Sequence, residues 1–437
     1  MNHTETQTSP NGKKILTDQG KLLIPDNPII PVLIGDGIGP DIWQAARPII
    51  EASVSFAYEK KRSIHWLEIP SSSLAQEQYL HQIIKTFGNY HVSLKGPLST
   101  AVGTGARSLN VTLRRELDLY IGMRPVQWIP GCPSPVSHPE YVNMVVFREN
   151  TEDIYSGIEF ESGTPANTEF LAWLEATYPE QYKKIRFPFS SGISIKPISS
   201  EGSVRLVRAA IKYALKNKRK RLSLIHKGNI MKFTEGAFVK WAYDLAESEF
   251  DNQVFTQRQW DKLKSSSDET HANNHQVEAI NHGKLFINDV IADAALEQTL
   301  TRPQEFDIIA TTNLNGDYLS DALSAQVGGL GIAPGANLND VDNIAVFEAI
   351  HGTAPGLAGK NVANPCSLIL SGALLLEHIG WQEAADLIRS GIQKTLAQKI
   401  VTFDFYRSMQ DATLSSTTDF GLAIIRNMRQ NQEDKGR

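Results

Sequence analysis

Short apolar runs alternate with amphipathic stretches along this chain. Residues 28–34 form the first apolar run, which predicts a buried strand, and a glycine turn at 35–39 follows it. In residues 42–50 the apolar positions recur every three or four residues, as in a helix with one face on a core. Further strands are predicted at 92–94, 119–123, 144–147, 222–225, 285–287 and 308–310, and further helices at 204–214 and 381–392.

Strands that alternate with helices predict an α/β fold with a largely parallel sheet. No repeat of fixed period is visible, which disfavours a solenoid or a propeller. Two segments differ from the rest of the chain. Residues 1–20 are polar and are predicted to be disordered, while residues 251–281 are rich in Gln, Ser, Asn, His and Lys and predict a solvated, peripheral insertion.

Composition narrows the class of partner. The 437 residues include 43 Lys and Arg against 48 Asp and Glu, a net charge of −5, without a long basic block. Nucleic acid and anionic membrane surfaces are therefore not expected as partners. The N-terminus lacks a secretory signal, no apolar run is long enough to span a membrane, and the two cysteines, Cys132 and Cys366, suit a reducing compartment. We expect a cytoplasmic protein that binds small molecules.

Two glycine-rich segments are candidate nucleotide-binding loops, at residues 35–39 and 351–359. The first reads Gly-x-Gly-x-Gly, which matches neither the Gly-x-Gly-x-x-Gly fingerprint nor a P-loop. Glycines between a strand and a helix let a phosphate approach the backbone, but they also make a tight turn. The second segment is equally compatible with an ordinary Gly/Pro-rich surface loop.

Arginines with neighbouring hydroxyl and amide groups predict a site for a polyanionic small molecule. Guanidinium groups bind carboxylates in bidentate fashion, and hydroxyls and amides beside them fix orientation. The alternative for any single arginine is a surface ion pair with Glu116 or Glu149. The candidate ligands are Ser108, Asn110, Arg114, Arg124 and Arg148.

Two pairs of aspartates, Asp289 with Asp293 and Asp317 with Asp321, are each spaced i, i+4. On a helix this spacing brings both carboxylates to one face, where a divalent cation such as Mg²⁺ or Mn²⁺ relieves their repulsion. Solvated aspartates at a helix start are the equally good alternative for either pair.

Tyr155 and Lys227 are candidates for proton transfer. Lys227 follows an apolar strand, where neighbouring cations would lower its pKa, and a tyrosine can serve as its acid partner. A snorkelling lysine and a tyrosine at the edge of the core are the alternatives.

Taken in order, these segments closely resemble the isocitrate/isopropylmalate dehydrogenase family, and within it the isocitrate dehydrogenases of the bacterial homodimeric type. The resemblance extends from about Pro28 to Ile425. It rests on Gly-Asp-Gly-Ile-Gly at 35–39, Arg-Ser-Leu-Asn at 107–110, Phe-Arg-Glu-Asn-Thr-Glu-Asp-Ile-Tyr at 147–155, His-Lys-Gly-Asn-Ile-Met-Lys-Phe-Thr-Glu-Gly at 226–236 and Asn-Leu-Asn-Gly-Asp-Tyr-Leu-Ser-Asp at 313–321.

The resemblance implies metal-dependent oxidative decarboxylation of D-isocitrate to 2-oxoglutarate and CO₂, with hydride transfer to a nicotinamide nucleotide. It assigns hydroxyl deprotonation to Lys227 and protonation of the enol carbon to Tyr155. The candidate substrate ligands above would hold the trianion, with Ser108 and Asn110 on its distal carboxylate. The implied Mg²⁺ or Mn²⁺ ligands are Asp317 and Asp321 of one subunit and Asp293 of the other, in preference to Asp289.

The nucleotide end departs from the family pattern. NADP-type relatives carry Lys-Tyr after His-Gly-Thr-Ala-Pro and a C-terminal Tyr and Arg, all directed at the 2′-phosphate. Here Gly356, Leu357 and Phe403 stand at three of those places and only Arg407 remains. The loss of these donors favours NAD over NADP, with NADP as the alternative. The expected nucleotide ligands are Ser99, Thr100, His351, Gly352, Thr353, Ala354, Gly356, Leu357, Asn364 and Arg407.

The implied fold is not a Rossmann fold. A large α/β domain would comprise residues 1–119 and 328–437, a small α/β domain residues 120–152 and 200–327, and a clasp between subunits residues 153–199. Because Lys227 and Asp293 would act across the interface, the resemblance implies an obligate homodimer. One rival function is a homoisocitrate or tartrate dehydrogenase, which Ser108 with Asn110 opposes. The other is a silent regulatory subunit, which the complete set of catalytic residues opposes.

Overall fold

The structure, a computed structural model, describes residues 11–71, 77–99 and 108–435. The strands are β1 Leu16–Asp18, β2 Lys21–Leu23, β3 Ile29–Leu33, β4 His65–Ile69, β5 Val92–Lys95, β6 Ile121–Gln127, β7 Asn143–Glu149, β8 Glu159–Phe160, β9 Ile193–Ser194, β10 Arg221–His226, β11 Val254–Thr256, β12 Leu285–Ile291, β13 Ile308–Thr311, β14 Pro334–Asn339, β15 Ile344–Ala349, β16 Ile400–Val401 and β17 Thr413–Leu414.

Helices lie between most of these strands. They are α1 Gly39–Ala57, α2 Glu77–Tyr90, α3 Leu109–Glu116, α4 Pro165–Thr177, α5 Pro179–Tyr182, α6 Ser200–Lys216, α7 Glu235–Glu249, α8 Gln257–Ser266, α9 Glu269–Asn281, α10 Ala292–Thr301, α11 Asn313–Val327, α12 Cys366–His378, α13 Gln382–Ala397, α14 Phe403–Tyr406 and α15 Thr417–Lys435. Within the described residues, every strand and helix predicted from periodicity is present.

One large sheet has the strand order β11-β12-β10-β13-β7-β6-β14-β15-β5-β3-β4. The pairs among β6, β7, β14 and β15 at its centre are antiparallel, and its other pairs are parallel. The predicted α/β fold with a largely parallel sheet is confirmed. Strands β5, β6, β7 and β15, which lie close together in this order, carry the charged residues of the site described below.

The apolar pattern explains how the helices cover the sheet. Strand β3 is buried along its whole length, as expected for a strand covered on both faces. Helix α12 packs against β14 and β15 and is buried over nearly all its length. Helices α1 and α13 pack against it with one apolar face each, and α15 packs against both of them. A second apolar cluster lies between α6, α7 and strands β10 and β13. The predicted domain boundaries stay a prediction.

The structure corrects the prediction of a disordered leader and shows the secondary structure of the polar segment. In the leader, β1 pairs with β2 in an antiparallel hairpin, while residues 1–10 lie outside the described residues. Residues 251–281 are mostly exposed and lie at the edge of the sheet, but they form regular elements, since β11 is the edge strand of the large sheet and α8 and α9 follow it. Thr256 caps α8 with Gln259 in a capping box, so these polar residues stabilise helix ends.

Among the described residues, no helix has both the length and the apolar content needed to cross a membrane.

Candidate active site

A cleft of about 370 Å³ lies beside the centre of the large sheet. The predicted substrate ligands Ser108, Asn110, Arg114, Arg124 and Arg148 all line it, together with Tyr155 and the metal candidates Asp317 and Asp321. Two further charged residues, Lys95 and Glu348, lie in its wall. The structure therefore brings together most of the residues that the sequence assigned to substrate and metal.

Glu348 on β15 is the carboxylate around which the cations gather. Its side chain accepts from Arg114 at 2.9 Å, from Arg124 at 3.0 Å and from Lys95 at 2.8 Å. Lys95 is its direct neighbour in the parallel register of β5 and β15. Arg114 and Arg124 thus pair with a glutamate that lies 234 and 224 positions further along the chain, respectively. They do not pair with Glu116 or Glu149, the alternative partners near them in sequence.

Burial and charge act in opposite directions in this cluster. Burial alone would raise the pKa of Glu348, but Lys95, Arg114 and Arg124 hold it well below its usual range. Desolvation lowers the pKa of Lys95, and it lowers that of Arg124 to about 10. The wall of the cleft is therefore rich in desolvated positive charge, which suits a ligand with several carboxylates.

Asp317, on the first turns of α11, links Arg148 to Tyr155. Its carboxylate accepts from the Arg148 guanidinium and, at 2.5 Å, from the Tyr155 hydroxyl. Arg148 also donates to Asn313 at 2.9 Å and lies over the Tyr155 ring at 4.9 Å. Strand β7 and helix α11 are thereby fixed relative to each other at the cleft.

The pKa values of Tyr155 and Asp321 are both raised. Burial, and then the hydrogen bond to Asp317, raise the pKa of Tyr155, so the phenol is protonated at neutral pH. Desolvation, and then repulsion from Asp317, raise the pKa of Asp321. Asp317 and Asp321 lie one turn apart on the same face of α11, as their i, i+4 spacing predicts. A divalent cation would relieve their repulsion.

Buried polar atoms without partners indicate that the cleft takes a ligand. Asn110 Oδ1, Arg114 Nε and His351 Nε2 have no hydrogen-bond partner among the described residues. Such buried groups are costly unless a ligand or water satisfies them. Burial also lowers the pKa of His351, which keeps its ring neutral.

Lys227 and Asp293 lie outside the cleft. The Lys227 ammonium contacts the Asp293 carboxylate, and this ion pair lowers the pKa of Asp293. Neither residue lines the cleft. No cluster of three His, Cys, Asp or Glu side chains that could hold a metal ion is present in residues 11–71, 77–99 and 108–435 of this chain.

Asp289 has a structural role that its spacing from Asp293 does not reveal. It lies within strand β12, whereas Asp293 is on α10, so the pair does not share a helix face. The Asp289 carboxylate accepts from Tyr243 at 2.6 Å and contacts His226 Nε2 at 3.1 Å. The preference for Asp293 over Asp289 as a metal ligand stays a prediction.

The glycine turn at 35–39 packs closely against the backbone of two other loops. A Cβ on Gly37 would lie 2.0 Å from the Thr353 carbonyl oxygen, and one on Gly35 would lie 2.4 Å from that of Pro97. Both glycines have positive φ. The turn therefore holds the 351–359 loop in place, as the Ile38 amide does by donating to Thr353 at 2.9 Å.

A second cavity, of about 430 Å³, shares His351 and Gly352 with the cleft and continues it. Phe403 and Asp404 also line it, and the Arg407 guanidinium lies 3.9 Å from the centre of the Phe403 ring. The predicted nucleotide ligands that line it are His351, Gly352, Ala354, Leu357 and Asn364.

The remaining predicted nucleotide ligands lie beside this cavity or elsewhere. Gly356 is exposed in a 3₁₀ turn that also contains Leu357, and Thr353 supports the glycine turn. The Ser99 amide donates to Asp36 at 2.8 Å. Thr100 lies outside the described residues.

The comparison with protein families decides the identity. The model of the isocitrate/isopropylmalate dehydrogenase family matches residues 29–424. This chain belongs to that family. The recognised resemblance and the expected fold are both confirmed.

Individual members of the family are similar over nearly the whole chain. An isocitrate dehydrogenase (NADP) of Staphylococcus epidermidis is 53% identical over 423 residues, which cover 96% of this chain and 100% of that protein. One from Pseudomonas aeruginosa is 48% identical over 436 residues, covering 98% and 100%. The crystal structure of isocitrate dehydrogenase from Methylococcus capsulatus matches with a TM-score of 0.71 at 32% identity, covering 92% of this chain and 99% of that one.

These relatives correct the predicted cofactor preference. Those from Staphylococcus epidermidis, Pseudomonas aeruginosa and Helicobacter pylori are all named as NADP enzymes, at 46–53% identity. The prediction that NAD is favoured over NADP is therefore wrong. It rested on the donors absent at Gly356, Leu357 and Phe403; Arg407 remains, and its guanidinium lies over the ring of Phe403, which lines the second cavity.

Sequence reasoning missed Glu348 and Asp404 in the two cavities. Glu348 follows the apolar run 344–347, where a charged side chain is out of place in a strand that otherwise reads as buried. This charged residue in an apolar strand was the sequence signal that could have identified Glu348 as a site residue. Asp404 accepts from Asn364 at 2.9 Å, a contact between segments that no local pattern connects.

Proposed function

We propose that this protein is an isocitrate dehydrogenase that oxidises D-isocitrate to 2-oxoglutarate and CO₂ with NADP as hydride acceptor. The observation that carries the proposal is the cleft in which Arg114, Arg124 and Arg148 face the carboxylate pair Asp317 and Asp321. A substrate with three carboxylates and one hydroxyl uses both parts of this arrangement. The cations bind its carboxylates, and the acidic pair serves a divalent cation that also takes the hydroxyl.

Asp317 and Asp321, with Asp293 of the partner subunit, are the proposed ligands of Mg²⁺ or Mn²⁺. Such an ion, when bound, acidifies the substrate hydroxyl and stabilises the negative charge that develops as CO₂ leaves. Both carboxylates belong to the oxygen ligands that these hard cations prefer. Asp317 also contacts Arg148 and Tyr155, so the residues that would hold the ion lie directly beside those that would face the substrate.

Lys227 and Tyr155 have complementary proton roles in this proposal. Lys227 of the partner subunit takes the hydroxyl proton while the carbon-bound hydrogen leaves as hydride to NADP. The bond to the neighbouring carboxylate then breaks, CO₂ departs, and its electron pair stays on the substrate. Tyr155, protonated at neutral pH, donates its proton to the carbon that lost CO₂.

Ser108 and Asn110 are the proposed determinants of substrate choice, because both line the cleft and offer polar groups to a distal carboxylate. Initial rates with D-isocitrate, homoisocitrate, tartrate and 3-isopropylmalate, each with Mg²⁺ and NADP, test this. We expect kcat/KM to be highest for D-isocitrate, and about 100-fold or more above that for 3-isopropylmalate, whose apolar group would leave buried polar atoms unpaired. A higher value for any of the others contradicts the assignment.

We propose that two copies of the chain complete the sites. Lys227 and Asp293 contact each other at a distance from the cleft, on a surface that exposes large apolar side chains. Phe233, near Lys227 in sequence, is 92% exposed, and Phe189 of the predicted clasp is 94% exposed. Exposed aromatic groups of this kind mark protein interfaces. A homodimer would cover them and deliver Lys227 and Asp293 to the other subunit's cleft.

Mixed dimers test the shared site. If Tyr155→Phe and Lys227→Met chains are unfolded and refolded together, a hybrid dimer has one site with both residues intact. About a quarter of wild-type activity should return in an equal mixture, because half of the dimers are hybrids with one working site each. Each variant refolded alone is the control. Recovery of no activity, with hybrids demonstrated by differential tags, would show that both residues serve the same subunit's site.

Arg407 is the proposed ligand of the 2′-phosphate of NADP. Arg407→Ala should raise KM for NADP by about 10-fold or more and change KM for NAD little, since charge-assisted bonds to phosphate contribute about 1.5–3 kcal/mol. Arg429→Ala, a cation beside Phe56, is the matched control. An equal effect on both nucleotides would remove Arg407 from phosphate recognition.

A further inference from the structure

Lys196 lies between two buried carboxylates that the proposed chemistry does not use. It follows strand β9 in the segment predicted to form the clasp, and its side chain is 17% exposed. Its ammonium contacts Asp153 and, at 2.9 Å, Glu235. These carboxylates are 1% and 0% exposed. Buried carboxylates need partners, and Lys196 is the cation that both of them share.

Glu235, the first residue of α7, holds the loop that carries Lys227. Its Oε2 accepts from the Lys227 backbone amide at 2.9 Å and from the Asn315 side chain at 2.8 Å. Its Oε1 accepts from Thr312 at 2.8 Å as well as from Lys196. Glu235 therefore ties the Lys227 loop to the beginning of α11, the helix that carries Asp317 and Asp321.

Asp153 holds the turn that carries Tyr155. Its backbone has a φ of +69°, which is strained for a residue with a side chain, and its carboxylate accepts from the amide of Ile154 at 2.7 Å. The other carboxylate oxygen accepts from the Leu314 amide on α11 at 3.0 Å. Asp153 therefore fixes the Tyr155 turn against the same end of α11.

We propose that Lys196 is a positioning residue that couples the Lys227 loop to the Tyr155 turn through Glu235 and Asp153. The inference rests on the proposed function, in which Tyr155 serves the subunit's own site and Lys227 serves the partner's. The ion-pair network around Lys196 then fixes, within one subunit, the contributions to two different active sites. Loss of Lys196 leaves the two carboxylates without their shared cation and disturbs both contributions.

Kinetics of Lys196→Met test the coupling. We expect kcat for isocitrate to fall by about 10- to 100-fold, because small misplacement of reacting groups costs that much, while KM for isocitrate and NADP changes less than about twofold. Lys196→Arg, which keeps the charge, should restore most of kcat. Lys183→Met, which removes an exposed lysine paired with Glu180 in the same segment, is the matched control.

Hybrid dimers separate coupling from a local effect. A dimer of one wild-type and one Lys196→Met chain has a site with a disturbed Tyr155 and a site with a disturbed Lys227. Our proposal expects such tagged, purified hybrids to turn over at well below half the wild-type rate. A rate of half or more would overturn it, as would an unchanged kcat in Lys196→Met. If Lys196→Met does not fold by circular dichroism, Lys196→Gln replaces it in both experiments.

Failure of this proposal is distinguishable from failure of the proposed function. If the wild-type dimer does not turn over isocitrate, the proposed function fails. If the wild-type dimer is active and the Lys196 variants are as active, only the coupling fails.

Discussion

Lys227→Met should lower the rate of isocitrate oxidation by about 10²–10⁴-fold, the usual contribution of a general base. Methionine replaces the apolar stem of the lysine and lacks the terminal amine that would accept the hydroxyl proton. The binding of NADP should stay nearly intact, because Lys227 does not line the second cavity, where the proposed nucleotide ligands lie. Stopped-flow rates of NADPH formation and a fluorescence titration with NADPH measure the two effects.

Lys240→Met is the matched control for this experiment. Lys240 is an exposed lysine on α7 that pairs with Asp244 one turn along the helix. Its loss should change neither the rate nor the affinity for NADPH. Unchanged turnover in Lys227→Met would refute the proton-transfer role, and an equal loss of NADPH binding would indicate a wider disturbance of the fold.

Glu348→Gln should destabilise the protein by about 3–5 kcal/mol, the usual effect of removing one partner from a buried ion pair. Glutamine has nearly the same shape, but it leaves Lys95 and Arg124, both 3% exposed, without a counter-charge. Urea unfolding monitored by circular dichroism measures the change. Glu59→Gln, in an exposed pair with Lys61, should leave the urea midpoint unchanged. Equal midpoints for wild type and Glu348→Gln would contradict the assigned role.

The effect of Glu348→Gln should also depend on pH. The three cations lower the pKa of Glu348 in the folded state, so its ionised form stabilises the fold above the unfolded value of about 4.3. That stabilisation is lost as the pH falls from there through the folded pKa. The difference between wild type and Glu348→Gln should therefore be full at pH 7 and shrink in acid. A difference that grows below pH 4 would reverse the sign of the linkage.

The periodicity of apolar residues predicted most strands and helices, because most helices bury one apolar face and most strands bury one face or both. The segment 251–281 escaped it, since β11 has only three residues and α9 buries little beyond Ala272 and Ala279. A polar helix that covers a sheet edge has the composition of a solvated insertion. The sequence signals for α8 and α9 are instead their N-cap residues, Thr256 and Asp268, which accept hydrogen bonds from the first turn of each helix.

The cations of the site were predictable, whereas their counter-charge was not. The arginines are visible in the sequence, but Arg124 on β6 meets Glu348 on β15 only because β6, β14 and β15 are neighbours in the sheet. The same holds for Lys196, whose two carboxylate partners lie on other segments of the chain. Charge pairing over such sequence distances depends on strand order, which local patterns do not specify.

The cofactor prediction was wrong for a different reason. It compared side chains at matched positions of a motif and treated each missing donor as a loss of phosphate binding. In the structure, Arg407 lies over the Phe403 ring at the wall of the second cavity. Because one guanidinium can offer two hydrogen bonds to a phosphate, a count of lost donors does not by itself decide between NAD and NADP.

The most direct test of the central claim is a time course of NADPH and CO₂ formation from D-isocitrate by the purified protein with Mg²⁺. Our account predicts equal amounts of NADPH, CO₂ and 2-oxoglutarate, a reaction that stops when the metal is chelated, and a higher kcat/KM with NADP than with NAD. A folded dimer that releases no CO₂ from isocitrate, or that works equally well without a divalent cation, would contradict it.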